Sequence, residues 1–337
     1  MRIAVDAMGG DYAPAEIVKG AVGAVAAYDD IEIILVGDED AINTYLPKRT
    51  DETKRIRIQH TPDAIRMDDC VNSVRTKPKA SVVVAAGMVR SGEADAMISV
   101  GNTAAAMAVA SLRLGRIPGI ERPAIATILP NRTGRTILLD AGATADCSVD
   151  NLMQFAVMGS IYAEKVLKKS KPKIALLSIG EESAKGNELT KAAHVALRET
   201  DLNFIGNVEG RDLFTDEADV IVADGFVGNV ALKAAEGLAE FLIGLLKDEL
   251  GGHKLLHIPL LFLLPAMRRL KRRVDYSEYG GAPLLGVNGV CIVGHGRSNA
   301  KAVTHAIKAA KDAVDNGIID CITKSLPSLE KNQAVRT

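Results

Sequence analysis

Arg2-Ile-Ala-Val-Asp-Ala-Met-Gly-Gly-Asp11 carries an apolar strand straight into a glycine turn, and Pro14 then opens a helix-like stretch that runs through Tyr28. Strand, glycine turn and helix make up the unit of a parallel α/β sheet, whose ligands lie outside the carboxyl ends of the strands. The succession recurs along the chain. Its later loops read Gly101-Asn-Thr103, Asp140-Ala-Gly-Ala143, Gly180-Glu-Glu182, Asp224-Gly-Phe-Val-Gly-Asn229 and Gly294-His-Gly-Arg-Ser-Asn299. Glycine lets the backbone approach a ligand closely, and the helix start beyond it offers N–H groups to an anion. Most of these loops also carry Asp, Asn, Ser or Thr, so together they predict a polar rim at one end of the sheet.

Between the loops, Ile3–Val5, Ile31–Val36, Ile56–Ile58, Ala94–Val100, Ala124–Leu129, Thr136–Leu139, Lys173–Ile179, Asn203–Ile205, Val220–Ala223 and Val290–Val293 read as strands. Most are unbroken apolar runs, as expected of strands covered on both faces. Helical patterns fill Ala80–Arg90, Thr103–Leu114, Asn151–Lys168, Glu188–Glu199, Asn229–Glu249 and Asn299–Asp315. No short repeat or low-complexity linker divides the chain. Residues 1–330 are expected to form a single catalytic domain, with 331–337 as a tail.

With 337 residues, 47% hydrophobic and 25% charged, the chain has the composition of an enzyme with a large core. A formal net charge of −1, 4% aromatic residues and no tryptophan argue against a nucleic-acid partner. Cys70, Cys147, Cys291 and Cys321 are widely spaced, which favours reduced thiols in a cytoplasmic protein over a disulfide framework or zinc site. With a strand at the N-terminus, no signal peptide is expected. The longest apolar stretch, Leu255 to Met267, contains Pro259 and Pro265 and is shorter than the roughly twenty residues of a spanning helix. A soluble protein is expected.

Leu245 to Asp275 departs from the βα rhythm. Ile258-Pro-Leu-Leu-Phe-Leu-Leu-Pro265 is followed by Arg268, Arg269, Lys271, Arg272 and Arg273. A dense apolar segment beside cations has the composition of an interfacial anchor, with Leu260, Leu261, Phe262 and Leu263 entering the headgroup region and Arg268 and Arg269 meeting anionic lipid. A dimer-interface arm with a solvated basic flank accounts for it equally well.

Neither G-x-G-x-x-G nor G-x-x-x-x-G-K-[ST] occurs, so no nucleotide site is supported. Lys185, at the start of Lys185-Gly-Asn-Glu-Leu-Thr-Lys191, would suit an anion at a helix start; a solvated lysine is the plain alternative. Asn229 reads either as the cap of the helix it begins or as an amide donor to a developing oxyanion. His295 and Arg297, on a glycine-flanked turn, could bind phosphate or move protons, or simply form a turn capped by Asn299. Asp6, Asp11, Asp140 and Asp224 fall at strand ends, where Asp is a common turn residue, and a metal site is not expected. Cys291 lies within a strand run and is expected to be buried rather than nucleophilic.

Taken together, Val5-Asp-Ala-Met-Gly-Gly-Asp11, Gly101-Asn-Thr103, Lys185 to Lys191, Asn203-Phe-Ile-Gly-Asn-Val-Glu209, Asp224 to Asn229, Tyr279-Gly-Gly-Ala282 and Gly294-His-Gly296 resemble one family over nearly the whole chain. This is the bacterial acyl-acyl-carrier-protein:phosphate acyltransferase family of phospholipid synthesis. Ala104, Thr144, Cys70 and Asn299 stand where many relatives carry Gly, Asn, Pro and Asp. The resemblance implies a Rossmann-like, mainly parallel sheet with helices on both faces, related to phosphotransacetylases and isocitrate dehydrogenases, with an amphipathic helical extension at 245–275. It implies a homodimer with peripheral membrane contact, linked to a membrane glycerol-3-phosphate acyltransferase. It also implies a reaction in which inorganic phosphate attacks the thioester of a long-chain acyl group on acyl carrier protein.

That chemistry needs no flavin, nicotinamide or covalent intermediate. Lys185, Asn229 and His295 are the expected catalytic residues. Asp6, Gly9, Gly10, Asn102, Thr103, Asp224, Gly228 and Arg297 are expected to line the substrate site. The carrier is acidic, so it should dock on a basic patch. Arg66, Arg75, Lys77 and Lys79 form one candidate and Arg268 to Arg273 the other. Two rivals of other classes are a nicotinamide-dependent oxidoreductase of the isocitrate dehydrogenase type and a non-catalytic membrane-bound scaffold.

Overall fold

The computed structural model describes residues 1–48, 50–251 and 280–334. Leu260, Leu261, Phe262, Leu263, Arg268 and Arg269, expected to touch membrane, lie outside them. Two sheets organise the described residues. The seven-stranded sheet has the order β3 (Ile56–His60), β2 (Glu32–Gly37), β1 (Arg2–Asp6), β4 (Ala96–Ser99), β12 (Val290–Val293), β11 (Ala282–Leu285) and β5 (Ala124–Ile125). Its first five strands pair in parallel, while β11 runs antiparallel to both neighbours. The five-stranded sheet has the order β6 (Thr127–Pro130), β7 (Arg135–Leu139), β10 (Val220–Val222), β8 (Ile174–Leu177) and β9 (Phe204–Val208), parallel except for β6.

The unbroken apolar runs behave as doubly covered strands. Ile3 and Val5 of β1 enter one buried cluster and Ala4 between them enters a second. Val220 and Val222 of β10 divide from Ile221 in the same way. Alternate side chains therefore meet helices on opposite faces, as the period of a strand dictates. Both clusters contain residues of both sheets, so the core is continuous across them. The helices are α1 (Ala15–Ala27), α2 (Glu39–Tyr45), α3 (Ser73–Thr76), α4 (Ser81–Ser91), α5 (Thr103–Val109), α6 (Val149–Lys165), α7 (Glu188–Arg198), α8 (Gly225–Gly251), α9 (Ala300–Asp315) and α10 (Ile318–Ala334). Among the described residues, no helix is long and apolar enough to cross a membrane.

Three differences from the sequence reading have physical causes. The Ala124–Leu129 run is split, with β5 pairing to β11 in one sheet and β6 to β7 in the other. Ala126 N–H, between the two strands, bonds to the Pro283 carbonyl at 3.0 Å. Strand β11 escapes detection because it contains Pro283 behind two glycines, a composition that argues against an inner strand. Helix α8 starts at Gly225, four residues ahead of Asn229, and the Asp224 carboxylate accepts from Val227 N–H at 2.9 Å. Asp224 is therefore the cap, and the capping reading of Asn229 is corrected. Two glycines in a first turn weaken the helical signal. They are required here because a Cβ on Gly225 would meet the Asp140 carboxylate at 2.5 Å, and one on Gly228 would overlap the Asp140 carbonyl.

Candidate active site

Strand order reverses between β1 and β4, because β1 leads to β2 on one side and the chain later returns to β4 on the other. Ligands of open α/β sheets gather at such a switch point, beyond the carboxyl ends of the strands. The loops after β1, β4 and β12 meet there. Asp11 N–H donates to the Gly296 carbonyl at 2.8 Å. A Cβ on Gly9 would lie 3.0 Å from the Gly101 nitrogen, and one on Gly10, at φ +99°, would lie 2.9 Å from the Val100 carbonyl. Both glycines are needed for this approach of backbone to backbone.

Asp6 lies beneath these loops. It accepts hydrogen bonds from Ser81 at 2.5 Å, Ser99 at 2.7 Å and Met8 N–H at 3.3 Å. Burial raises its carboxyl pKa above the usual carboxylate value, and the serine donors pull it back. Asn102 caps α5 by accepting from Ala105 N–H at 3.0 Å, and its amide donates to the Met67 and Asp69 carbonyls. Both residues shape the rim from below.

Beside this rim a cleft of about 490 Å³ runs between β5, β6 and the start of α8. Its lining is largely apolar and includes Met107, Ile128, Leu129, Phe214 and Leu232, with the charged Lys233 and Glu236 of α8. Thr103, Asn229 and His295 also line it, with Gly142 and Gly294 of the glycine loops. Asn229 is exposed and forms no side-chain hydrogen bond with another described residue; it lies over Gly142, whose added Cβ would sit 3.4 Å from its amide oxygen. His295 is exposed, and its Nδ1 accepts from Arg297 N–H at 3.2 Å, which leaves the proton of a neutral ring on Nε2. The structure thus unites an amide donor, an imidazole and a hydroxyl in the lining of one largely apolar cleft.

The other expected residues do not line the cleft. Lys185 is exposed in the loop after β8, with its side chain folded over Gly180. That loop neighbours the Asp224 loop because β8 pairs with β10. Arg297 is exposed on the turn behind His295, and the buried Gly228 is packed against Asp140. Thr144 and Asn299 have structural tasks. Thr144 donates its N–H to Asp140 and its hydroxyl to the Pro123 carbonyl, and Asn299 caps α9 through Ala302 N–H at 2.9 Å. Ala104 lines the cleft. Cys291 is buried, and burial pushes its thiol up to about 12, so it is no nucleophile. The apolar lining was missed in the sequence because its residues come from separate elements, and the available signal was the apolar run at 127–130.

The model of the fatty acid synthesis protein family matches residues 1–321. The chain is 51% identical over 331 residues to the phosphate acyltransferase of Pelotomaculum thermopropionicum, covering 98% of this chain and 96% of that protein. It is 50% identical over 329 residues to that of Desulfitobacterium hafniense, covering 97% and 98%. Among solved structures, a phosphotransacetylase from Streptococcus pyogenes superposes with a TM-score of 0.59 at 18% identity, covering 93% of this chain and 94% of that one, a likeness of fold. The chain belongs to the fatty acid synthesis protein family, together with these phosphate acyltransferases.

Proposed function

We propose that this protein transfers a long-chain acyl group from acyl carrier protein to inorganic phosphate, giving acyl phosphate. The observation that carries the reading is the cleft itself, largely apolar and lined also by Asn229, His295 and Thr103 beside glycine loops. A phosphate oxygen attacks the thioester carbonyl carbon, the carbonyl becomes an oxyanion, and collapse breaks the C–S bond. The departing thiolate then takes up a proton. Phosphate is its own nucleophile and thiolate a good leaving group, so the protein has to align two anionic partners and hold the oxyanion. Asn229 supplies the amide donor and His295 a second polar group, with Lys185 holding phosphate. The apolar lining takes the acyl chain.

The carrier's dock is assigned to Arg66, Arg75 and Lys79. All three are exposed, whereas Lys77 is paired with Asp69 at 2.6 Å. The 67–69 backbone of this cluster is tied to Asn102, the neighbour of cleft-lining Thr103. Helix α8 exposes Leu238, Phe241, Leu242 and Leu245 over its later turns, which suits a second copy of the chain or the surface of an anionic membrane. A cytoplasmic homodimer with peripheral membrane contact, passing its product to a membrane glycerol-3-phosphate acyltransferase, fits this surface.

Incubation with acyl carrier protein thioester should release free thiol only when phosphate is present. Release that ignores phosphate, or reduction of a nicotinamide with a hydroxyacid, would overturn the reading. Charge reversal at Arg66 and Arg75 should raise KM for the acyl carrier about tenfold, with KM for phosphate unchanged. An unaltered carrier KM would remove this cluster from the dock.

A further inference from the structure

The Asn203-Phe-Ile-Gly-Asn-Val-Glu209 segment has no place in the chemistry described so far, yet its centre is unusually constrained. Strand β9 carries an irregularity opposite β8, where Ile174 pairs with Phe204 and Ala175 with Gly206, leaving Ile205 extra. Gly206 has a φ of +110°, in the left-handed region that favours glycine. An extra residue of this kind re-aims the side chains beyond it. The side chain that follows is Asn207, and it is buried.

Both ends of that buried amide are engaged. Its oxygen takes a hydrogen bond at 2.8 Å from Nδ1 of His194, a buried residue of α7 whose ring meets Phe204 edge-on at 5.3 Å. Its nitrogen donates at 3.0 Å to the Glu182 carbonyl. That carbonyl also accepts the N–H of Lys185 at 2.9 Å. The Ser178 hydroxyl reaches the Lys185 carbonyl at 3.4 Å, and Arg211 pairs with Glu181 at 3.0 Å. The loop bearing Lys185 is exposed, but its backbone is held from below through Asn207.

We infer that Asn207, oriented by His194, is a positioning residue that sets the Lys185 loop and thereby the affinity for phosphate. This rests on the assignment of Lys185 to phosphate. The amide is suited to the task because it must accept from one neighbour and donate to the other. Aspartate at this position keeps an acceptor for His194 but sets an oxygen against the Glu182 carbonyl. A charged-group contact displaced in this way weakens binding without touching the reacting carbon.

The test is steady-state kinetics on Asn207→Asp, Lys185→Ala and the double variant, with inorganic phosphate and acyl carrier thioester each varied. Asn207→Asp is expected to raise KM for phosphate about tenfold, leave KM for the thioester unchanged and add nothing in the Lys185→Ala background. Amides of residues 181–186 should exchange faster in the same variant. Loss of kcat at unchanged phosphate KM would mean a smaller folded fraction and would overturn the role. A raised phosphate KM in Lys185→Ala but not in Asn207→Asp overturns positioning alone. A normal phosphate KM in Lys185→Ala overturns the Lys185 assignment, and with it the role of Asn207. If Asn207→Asp does not fold, His194→Ala breaks the same chain one bond further away and should raise phosphate KM severalfold.

Discussion

Asn229→Ala is expected to lower kcat for acyl-phosphate formation by on the order of a hundredfold or more, the usual consequence of losing one oxyanion donor. KM for phosphate and for the acyl carrier should change little, because the contact forms only as the carbonyl oxygen becomes negative. The exposed amide forms no side-chain hydrogen bond with another described residue. The cap of α8 is Asp224, so truncation at Asn229 leaves the helix start intact. Alanine is also the better helix former, by a few tenths of a kcal/mol. The variant should therefore melt at or slightly above the parent temperature while losing most of its turnover. Asn229→Asp is expected to be worse, since it places a negative charge where the oxyanion forms. Turnover within threefold of the parent in a folded Asn229→Ala would remove Asn229 from the reaction.

Residue pattern alone revealed the parallel strands, because a doubly covered strand must be apolar on both faces, as Ile33, Ile34, Leu35 and Val36 illustrate. It revealed the glycine loops for a related reason, since only glycine allows the contact of Gly9 with Gly101. The division into two sheets was hidden. It turns on one short stretch, Ala124–Pro130, where pairing partners come from distant parts of the chain. The site was legible in the identity of its polar residues and not in their grouping. Asn229 reaches the cleft from the start of α8, after the five-stranded sheet, and His295 from the loop after β12 of the other sheet, while Lys185 is not among its lining residues. Asp6 shows a second limit. A carboxylate at a strand end reads the same whether it faces a ligand or lies buried beneath serines, and only the fold distinguishes the two.

Asp140→Ala should be the most destabilising single change near the site, at about 3–5 kcal/mol. The fully buried carboxylate accepts from Ile125 N–H at 2.8 Å, Gly142 at 3.1 Å, Ala143 at 2.9 and 3.0 Å, and Thr144 at 2.7 Å. Ile125 belongs to the seven-stranded sheet, whereas Asp140 follows β7 of the other, so one side chain joins the two. Burial raises the carboxyl pKa above its usual value, and the backbone donors lower it only in part. Removing the carboxylate relieves that desolvation, but it strands four N–H groups, each of which costs about 1–3 kcal/mol when buried and unmet. The unmet donors outweigh the relief. Asp140→Asn should fall between alanine and the parent: one oxygen still serves Ile125 and the glycine turn, while its NH₂ opposes the remaining donors. The Gly142 turn under Asn229 depends on the same bonds, so kcat of the folded fraction should fall along with stability. Denaturant unfolding measures the first and active-site-normalised turnover the second. A loss below 1 kcal/mol for Asp140→Ala would mean that water satisfies these donors and that the carboxylate is not what joins the sheets.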